Sequence, residues 1–217
     1  MNSVSTPRAR TKTTRTFWTV LVGGAAGLFA LAVALSVPPN ETSTGTGELN
    51  QTQPVAIAGD ALPMLPETGE DPAVGIKLPD IRGKSFDGGR VTAANDGTPK
   101  VILVGAHWCS YCQAEFPKVQ QWIDENGLPD NVELLAISTA VDATQPNYSP
   151  SAWLERERWS SPVIADDDSG TAARALGVSA FPFFVFADGD GKVESRWAGA
   201  MPIDEFASKL ARLSEGT

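Results

Sequence analysis

From Lys100 onward, short apolar runs alternate with segments whose apolar residues recur every three or four positions. Val101 to Ala106 (V-I-L-V-G-A) is a β-branched run of strand length and predicts a buried central strand. Phe116, Val119, Gln120 and Ile123 then fall at helical spacing. They predict a helix from Ser110 to about Asn126, closed by Gly127 and kinked at Pro117. Val132 to Ser138 reads as a second buried strand, and Thr139 to Tyr148 as a loop. A helix over Pro150 to Arg158 follows, with Ser149 as N-cap and Pro150 at its first position. Pro162 to Ala165 is a short strand, and Thr171 to Leu176 a helix that ends at Gly177. Phe183 to Ala187 and Lys192 to Trp197 form a hairpin across Asp188-Gly189-Asp190-Gly191. In the last helix Ile203, Phe206, Ala207, Leu210 and Leu213 share one face. Upstream, Leu78 to Gly83 and Gly88 to Thr92 predict a short N-terminal β-hairpin. The pattern is that of an α/β fold, a mixed central sheet with helices on both faces.

The chain ahead of Ile76 has a different texture. Phe17 to Val37 is a run of 21 residues without a charge, and as a helix it would span about 31 Å, the thickness of a bilayer core. Arg8, Arg10, Lys12 and Arg15 precede it, and no basic residue returns until Lys77. The positive-inside rule places residues 1–16 in the cytoplasm and everything after Val37 outside. Ala32-Val33-Ala34 fits a signal-peptide cleavage pattern, so a retained anchor and a cleaved leader both stand, the anchor being preferred for its length and for Trp18 at its inner edge. On the second reading the protein is secreted. Residues 38–75 hold six prolines, five glycines and no Lys or Arg, with no sustained period, and predict a disordered linker ahead of a folded domain at 76–217.

Charge narrows the partners. The net charge is −9, and the first sixteen residues carry +4, so the rest carries −13. An acidic body of this kind is a poor ligand for nucleic acid. Export also bears on the two cysteines, Cys109 and Cys112, because cytosolic thiol pools do not hold an exported pair reduced.

The pair sits where the strand at Val101–Ala106 hands over to the following helix. Unpaired N–H groups and the positive end of the helix dipole favour a thiolate there. In a C-x-x-C at such a junction the first cysteine tends to be the more exposed nucleophile, with the second one turn inward to close or break a disulfide. This predicts a redox dithiol in which Cys109 attacks and Cys112 resolves, with no cofactor beyond the disulfide itself. Three plainer readings compete. A structural disulfide would close only a four-residue loop and remove little chain entropy. A metal site would need more ligands than the lone His107 adds. Two buried structural cysteines is the third.

From about Leu78 to Leu213 the chain resembles the thioredoxin superfamily, and within it the membrane-anchored TlpA and ResA-like thiol–disulfide oxidoreductases. The resemblance rests on Trp108-Cys109-Ser110-Tyr111-Cys112 as W-C-x-x-C and on Glu115-Phe116-Pro117 after it. Gly177-Val178-Ser179-Ala180-Phe181-Pro182 reads as the G-V-x-x-x-P that introduces a cis-proline, and D-G-D-G-K at 188–192 precedes Gly199 and the last helix. It implies a thioredoxin-like fold, catalytic Cys109 and Cys112, and a site shaped by Trp108 and by a cis-Pro182 packed beside Cys109. Implied partners are protein thiol or disulfide clients and a membrane redox partner. The ResA-like likeness implies a reductant of the cytochrome c maturation type; a DsbA-like oxidase that installs disulfides is the alternative. Two departures stand out. Leu103 occupies the position, six before the first cysteine, where thioredoxin has a buried acid, so the proton relay would pass to Glu115, with a solvated helix carboxylate as the competing reading. Phe181 and Phe183 flank the proline where many relatives have smaller or hydroxylated residues.

Other candidates carry less. His107 could raise the thiolate fraction of Cys109, but a partly exposed bystander is the preferred reading. Asp166-Asp167-Asp168 and Asp188-x-Asp190 read as solvated loop and turn residues, since Gly199 stands where a twelve-residue calcium loop needs its acid. A copper-handling protein would need a ligand beyond His107, and a redox-inactive binding module would leave the dithiol idle.

Overall fold

Three strands of nearly unbroken apolar sequence occupy the middle of the domain, each burying one set of alternate side chains on either face. In the computed structural model these are β4 (Lys100–Gly105), β5 (Glu133–Ser138) and β7 (Phe183–Ala187). With β6 (Val163–Ala165) and β8 (Val193–Ala198) they form a five-stranded sheet in the order β6-β5-β4-β7-β8. The β6-β5-β4 pairings are parallel, and β7 and β8 run antiparallel to β4 and to each other. The structure describes residues 49–216. The helix expected at 17–37 and the basic segment before it lie outside the described residues, among which no helix is long and apolar enough to cross a membrane.

The two faces of the sheet have separate cores. Val101, Leu103, Leu134, Ala136, Phe184 and Phe186 point to one side. That side is covered by α1 (Ser110–Asn126), α2 (Pro150–Arg156) and α4 (Ile203–Glu215), through Phe116 and Val119, Trp153 and Leu154, and Phe206, Leu210 and Leu213. Ile102, Val104, Leu135, Ile137, Phe183 and Val185 face the other way, toward α3 (Thr171–Ala175). Burying one such Phe or Leu contributes roughly 1.5–3 kcal/mol, and the alternation fixes the register, because a one-residue slip would turn each strand inside out. The expected layout, helices on both faces of a mixed sheet, is what forms.

The predicted hairpin is β2 (Asp80–Lys84) and β3 (Arg90–Ala93), but it has a third strand, β1 (Ala56–Ala58), paired antiparallel to β2. The expectation of a disordered linker up to residue 75 is therefore corrected for residues 49–75. Leu62 and Ala73 are buried in the second core, the Leu62 and Leu65 N–H groups donate to Ala175 and Gly177 carbonyls, and Gly75 N–H donates to Val193 O. What holds this strap is a cation from far along the chain. Arg196 on β8 donates from Nε and Nη2 to the Asp71 carboxylate at 3.0 and 2.5 Å and from Nη1 to the carbonyls of Pro63 and Leu176, each at 2.8 Å. Gly177, at φ +65°, leaves the space this needs, since a Cβ there would stand 2.3 Å from Pro63 O.

Smaller differences are local. α2 stops at Arg156, ahead of Arg158, whose φ of 55° is not helical. Ser149 has the extended backbone of an N-cap, but its hydroxyl faces Ser151 Oγ at 3.1 Å and makes no cap bond. α1 runs through Pro117 as one helix.

Candidate active site

β4 ends at Gly105, and four residues later the chain enters α1 with Cys109 as its N-cap. Gly105 is what lets the helix lie so close: a Cβ there would be 2.5 Å from the Phe116 ring and 3.3 Å from Cys112 Sγ. The Cys112 N–H, unpaired in any helix's first turn, donates to Cys109 Sγ at 3.4 Å. No acidic residue lies in that turn to compete for it.

The two thiols differ in surroundings. Cys109 keeps 8% of its surface exposed at the mouth of the site, while Cys112 has none. Burial pushes the Cys112 thiol far up, and neighbouring Cys109 and the Glu115 charge push it the same way. Cys109 Sγ faces the carbonyl of Phe181 at 3.7 Å. The Phe181–Pro182 peptide is cis, as the resemblance implied, and Pro182 is buried beside it. Trp108 stands edge-on to Phe181 with ring centroids 6.3 Å apart. Its indole N–H donates to Ala140 O at 2.7 Å. The structure thus brings Cys109, Cys112, Trp108 and Pro182 together.

Glu115 is not a solvated carboxylate. It is buried on the inner side of α1, where Oε1 accepts from Met201 N–H at 3.1 Å and Oε2 from Lys118 Nζ at 2.7 Å; Lys118 also donates to Met201 O at 2.6 Å. Leu103 is fully buried in the same core as Cys112 and Phe116.

His107 corrects the expectation of a partly exposed bystander, because it is fully buried. Nδ1 donates to Pro146 O at 2.8 Å, and Nε2 accepts from Asp142 N–H at 3.2 Å, a pattern that suits the neutral ring. With Trp108 on Ala140, it stitches the loop after β5 to the segment that carries the cysteines. Both ring nitrogens face that loop's backbone, which leaves neither for a metal held by the cysteine pair. Asp166 is likewise buried, not solvated. Its carboxylate accepts from the N–H groups of Asp167, Ala172 and Ala173 and from Thr139 Oγ1, tying the start of α3 to the end of β5.

Sequence reasoning missed Lys118, Arg196 and the loop contacts. Lys118 follows Glu115 at the i, i+3 spacing of helical ion pairs, a signal that was readable. The backbone carbonyls that hold His107, Trp108 and Arg196 leave no trace in a sequence.

A sheet of this order, with a cysteine pair at the N-terminus of the helix after its central strand and a cis-proline opposite, defines the thioredoxin-like class. Residues 74–196 match the AhpC/TSA family, and the chain belongs to that family. No curated protein matches the sequence. Among solved structures, a secreted Mycobacterium tuberculosis disulfide oxidoreductase homologous to E. coli DsbE is similar at 24% identity and TM-score 0.51, over 61% of this chain and 95% of that one. The MTB protein dsbF, solved in mixed oxidised and reduced forms, is 25% identical with TM-score 0.51, over 61% and 93%. A thiol:disulfide interchange protein of the thioredoxin family from Chlorobium tepidum is 19% identical with TM-score 0.51, over 72% and 99%.

Proposed function

We propose that this thiol–disulfide oxidoreductase works outside the cytoplasm, tethered by residues 17–37, and passes electrons from its Cys109–Cys112 dithiol to the disulfides of protein clients. The observation that carries this reading is Cys109 Sγ facing the Phe181 carbonyl at 3.7 Å, with Cys112 buried behind it. An extended client laid along the cis-proline loop presents its disulfide at that point.

The Cys109 thiolate attacks one client sulfur. The client S–S bond breaks, its other sulfur leaves as a thiolate and takes up a proton, and a mixed disulfide remains. Cys112 then loses its proton, for which Glu115, one helical turn away, is the acceptor; each Glu115 oxygen keeps a second lone pair beyond its present bond. The Cys112 thiolate attacks Cys109 Sγ, the mixed disulfide breaks, and the client leaves with both sulfurs reduced. Two electrons have moved from the dithiol to the client, and a membrane redox partner returns them.

The reducing direction, of the cytochrome c maturation type, rests on the ResA-like resemblance of the W-C-x-x-C and E-F-P stretches. An oxidant of the DsbA kind would depend on a strongly stabilised thiolate at the attacking cysteine, Cys109. The equilibrium potential of the pair tests this. A value near roughly −270 mV supports the reductant, and one near roughly −120 mV replaces it with a disulfide-forming oxidase. Tight copper binding by the reduced protein would instead favour a copper carrier.

A further inference from the structure

Beside the cis-proline loop lies an open groove of about 860 Å³. Met64, Leu65 and Glu67 of the strap form one wall, Ser179 and Ala180 the second, and Trp197 of the edge strand β8 the third. The volume is in the range of pockets that hold several side chains. Its position relative to the dithiol follows from the chain itself. Ala180 immediately precedes Phe181, whose carbonyl Cys109 faces. Consecutive residues stand about 3.8 Å apart and an extended chain covers at most about 3.3–3.6 Å per residue, so the groove lies within roughly two to four client residues of a cysteine held at Cys109.

Its chemistry is apolar with one sign of free charge. Met64 is 69% exposed, and Trp197 is half-buried. Glu67 and Glu70 are exposed, and residues 49–76 contain no Lys or Arg. The one cation in the wall, Arg196, is fully engaged by Asp71 and the Pro63 and Leu176 carbonyls, so its charge is spent inside the fold.

We propose that this groove is a client-binding subsite, taking an extended polypeptide that carries an apolar residue and a lysine or arginine within a few positions of its reacting cysteine. The inference rests on the disulfide exchange proposed above and adds to it the class of sequence that reacts fastest. The strap thereby acts as a specificity element, supplying the acidic and apolar wall that the five-stranded sheet lacks.

The test uses the reduced full chain and two peptides, each joined by a disulfide to thionitrobenzoate. One carries Leu and Lys beside its cysteine, the other Leu and Glu. Attack of Cys109 on the peptide sulfur releases coloured thionitrobenzoate, and each rate is divided by that of hydroxyethyl disulfide, too small to reach the groove, with the same variant. Exposed charge pairs are weak, so the Lys peptide is expected to react only roughly threefold faster than the Glu peptide. Glu67→Lys reverses that order, and Met64→Ser slows both peptides while keeping their ratio. Equal ratios in the unsubstituted protein and Glu67→Lys overturn the subsite, as does a preference that vanishes on raising protein concentration, the mark of a second copy occupying the groove. Failure of the exchange chemistry itself is a different result: no reaction with hydroxyethyl disulfide.

Discussion

Glu115 and Lys118 stand one turn apart on α1 and close an ion pair of 2.7 Å in which the carboxylate is 2% exposed and the ammonium 37%. Both residues also hold the backbone of Met201, one by accepting its N–H and the other by donating to its carbonyl. The pair thus joins the redox helix to the turn that leads into α4, and keeps a charged group one turn from Cys112 in a place water does not reach.

Replacing Glu115 by Gln separates these two roles. The amide oxygen can still accept from Met201 N–H, so the fold is expected to lose about 1.5–3 kcal/mol, the value of a hydrogen bond to a charged group. With the proton acceptor gone, resolution of a trapped mixed disulfide slows by on the order of 10²-fold, as loss of a general base does. Stopped-flow measurement of client-thiol release reports the second effect and urea unfolding the first. A faster release would mean that the Glu115 charge acts on Cys112 only by repulsion.

The buried Cys112 thiol makes the reduced protein sensitive to alkali. Its folded pKa is raised, so its contribution is intact below the unfolded value of about 8.5 and is lost as pH rises above it, because the unfolded chain ionises first. The slope is about 1.4 kcal/mol per pH unit for one thiol. Denaturant midpoints measured at pH 8 and pH 10 are expected to fall further for the reduced protein than for Cys112→Ala or the oxidised form, neither of which carries this thiol.

Gly105→Ala tests the close approach of α1 to β4. The added methyl meets the Phe116 ring at 2.5 Å, and overpacking of that kind costs about 1–3 kcal/mol. Because the same methyl lies 3.3 Å from Cys112 Sγ, the reduction potential is expected to shift along with the melting temperature. Gly216→Ala serves as the comparison, since Gly216 is exposed, has φ −82° and would bring its Cβ no closer than 3.4 Å to Arg212 O.

Arg196→Met should free the strap. Arg196 is fully buried and Asp71 retains a little contact with water, so losing the pair costs about 3 kcal/mol, the low side of what breaking a buried pair costs. Limited proteolysis then cuts within residues 49–76 while the five-stranded sheet survives. Acid acts on the same bond. Burial raises the Asp71 pKa, but the Arg196 hydrogen bond, the Ala73 N–H and the Arg196 charge outweigh it and hold the carboxyl below its usual range. The stabilisation is present above about pH 3.9, the unfolded value, and is lost as pH falls through the lowered folded one. Cleavage of the strap by pepsin at descending pH follows that loss.

The five-stranded sheet was legible because Ile102, Leu103, Leu135, Ala136, Phe183 and Phe184 need two opposite cores, and only central strands provide them. The dithiol was legible because four residues of sequence carry its chemistry. The strap was not. Leu62, Leu65 and Ala73 lie among prolines and glycines with no period, and what fixes them is Arg196, 125 positions from Asp71. His107 and Asp166 failed for a related reason: both are polar, and their burial is made possible by backbone groups of segments whose meeting only the fold decides. Glu115 fell between the two cases, since its partner Lys118 is local but Met201 is not.

Leu103 has a further consequence. It shares a buried core with Cys112, and the other side chains there, Val101, Ala136, Phe116 and Phe184 among them, offer a proton nowhere to rest. A proton released by Cys112 must travel along α1 toward Glu115 or out past Cys109. A client seated across Cys109 closes the second of these routes, so while the mixed disulfide stands the proton's way out is toward Glu115 and the partly exposed Lys118.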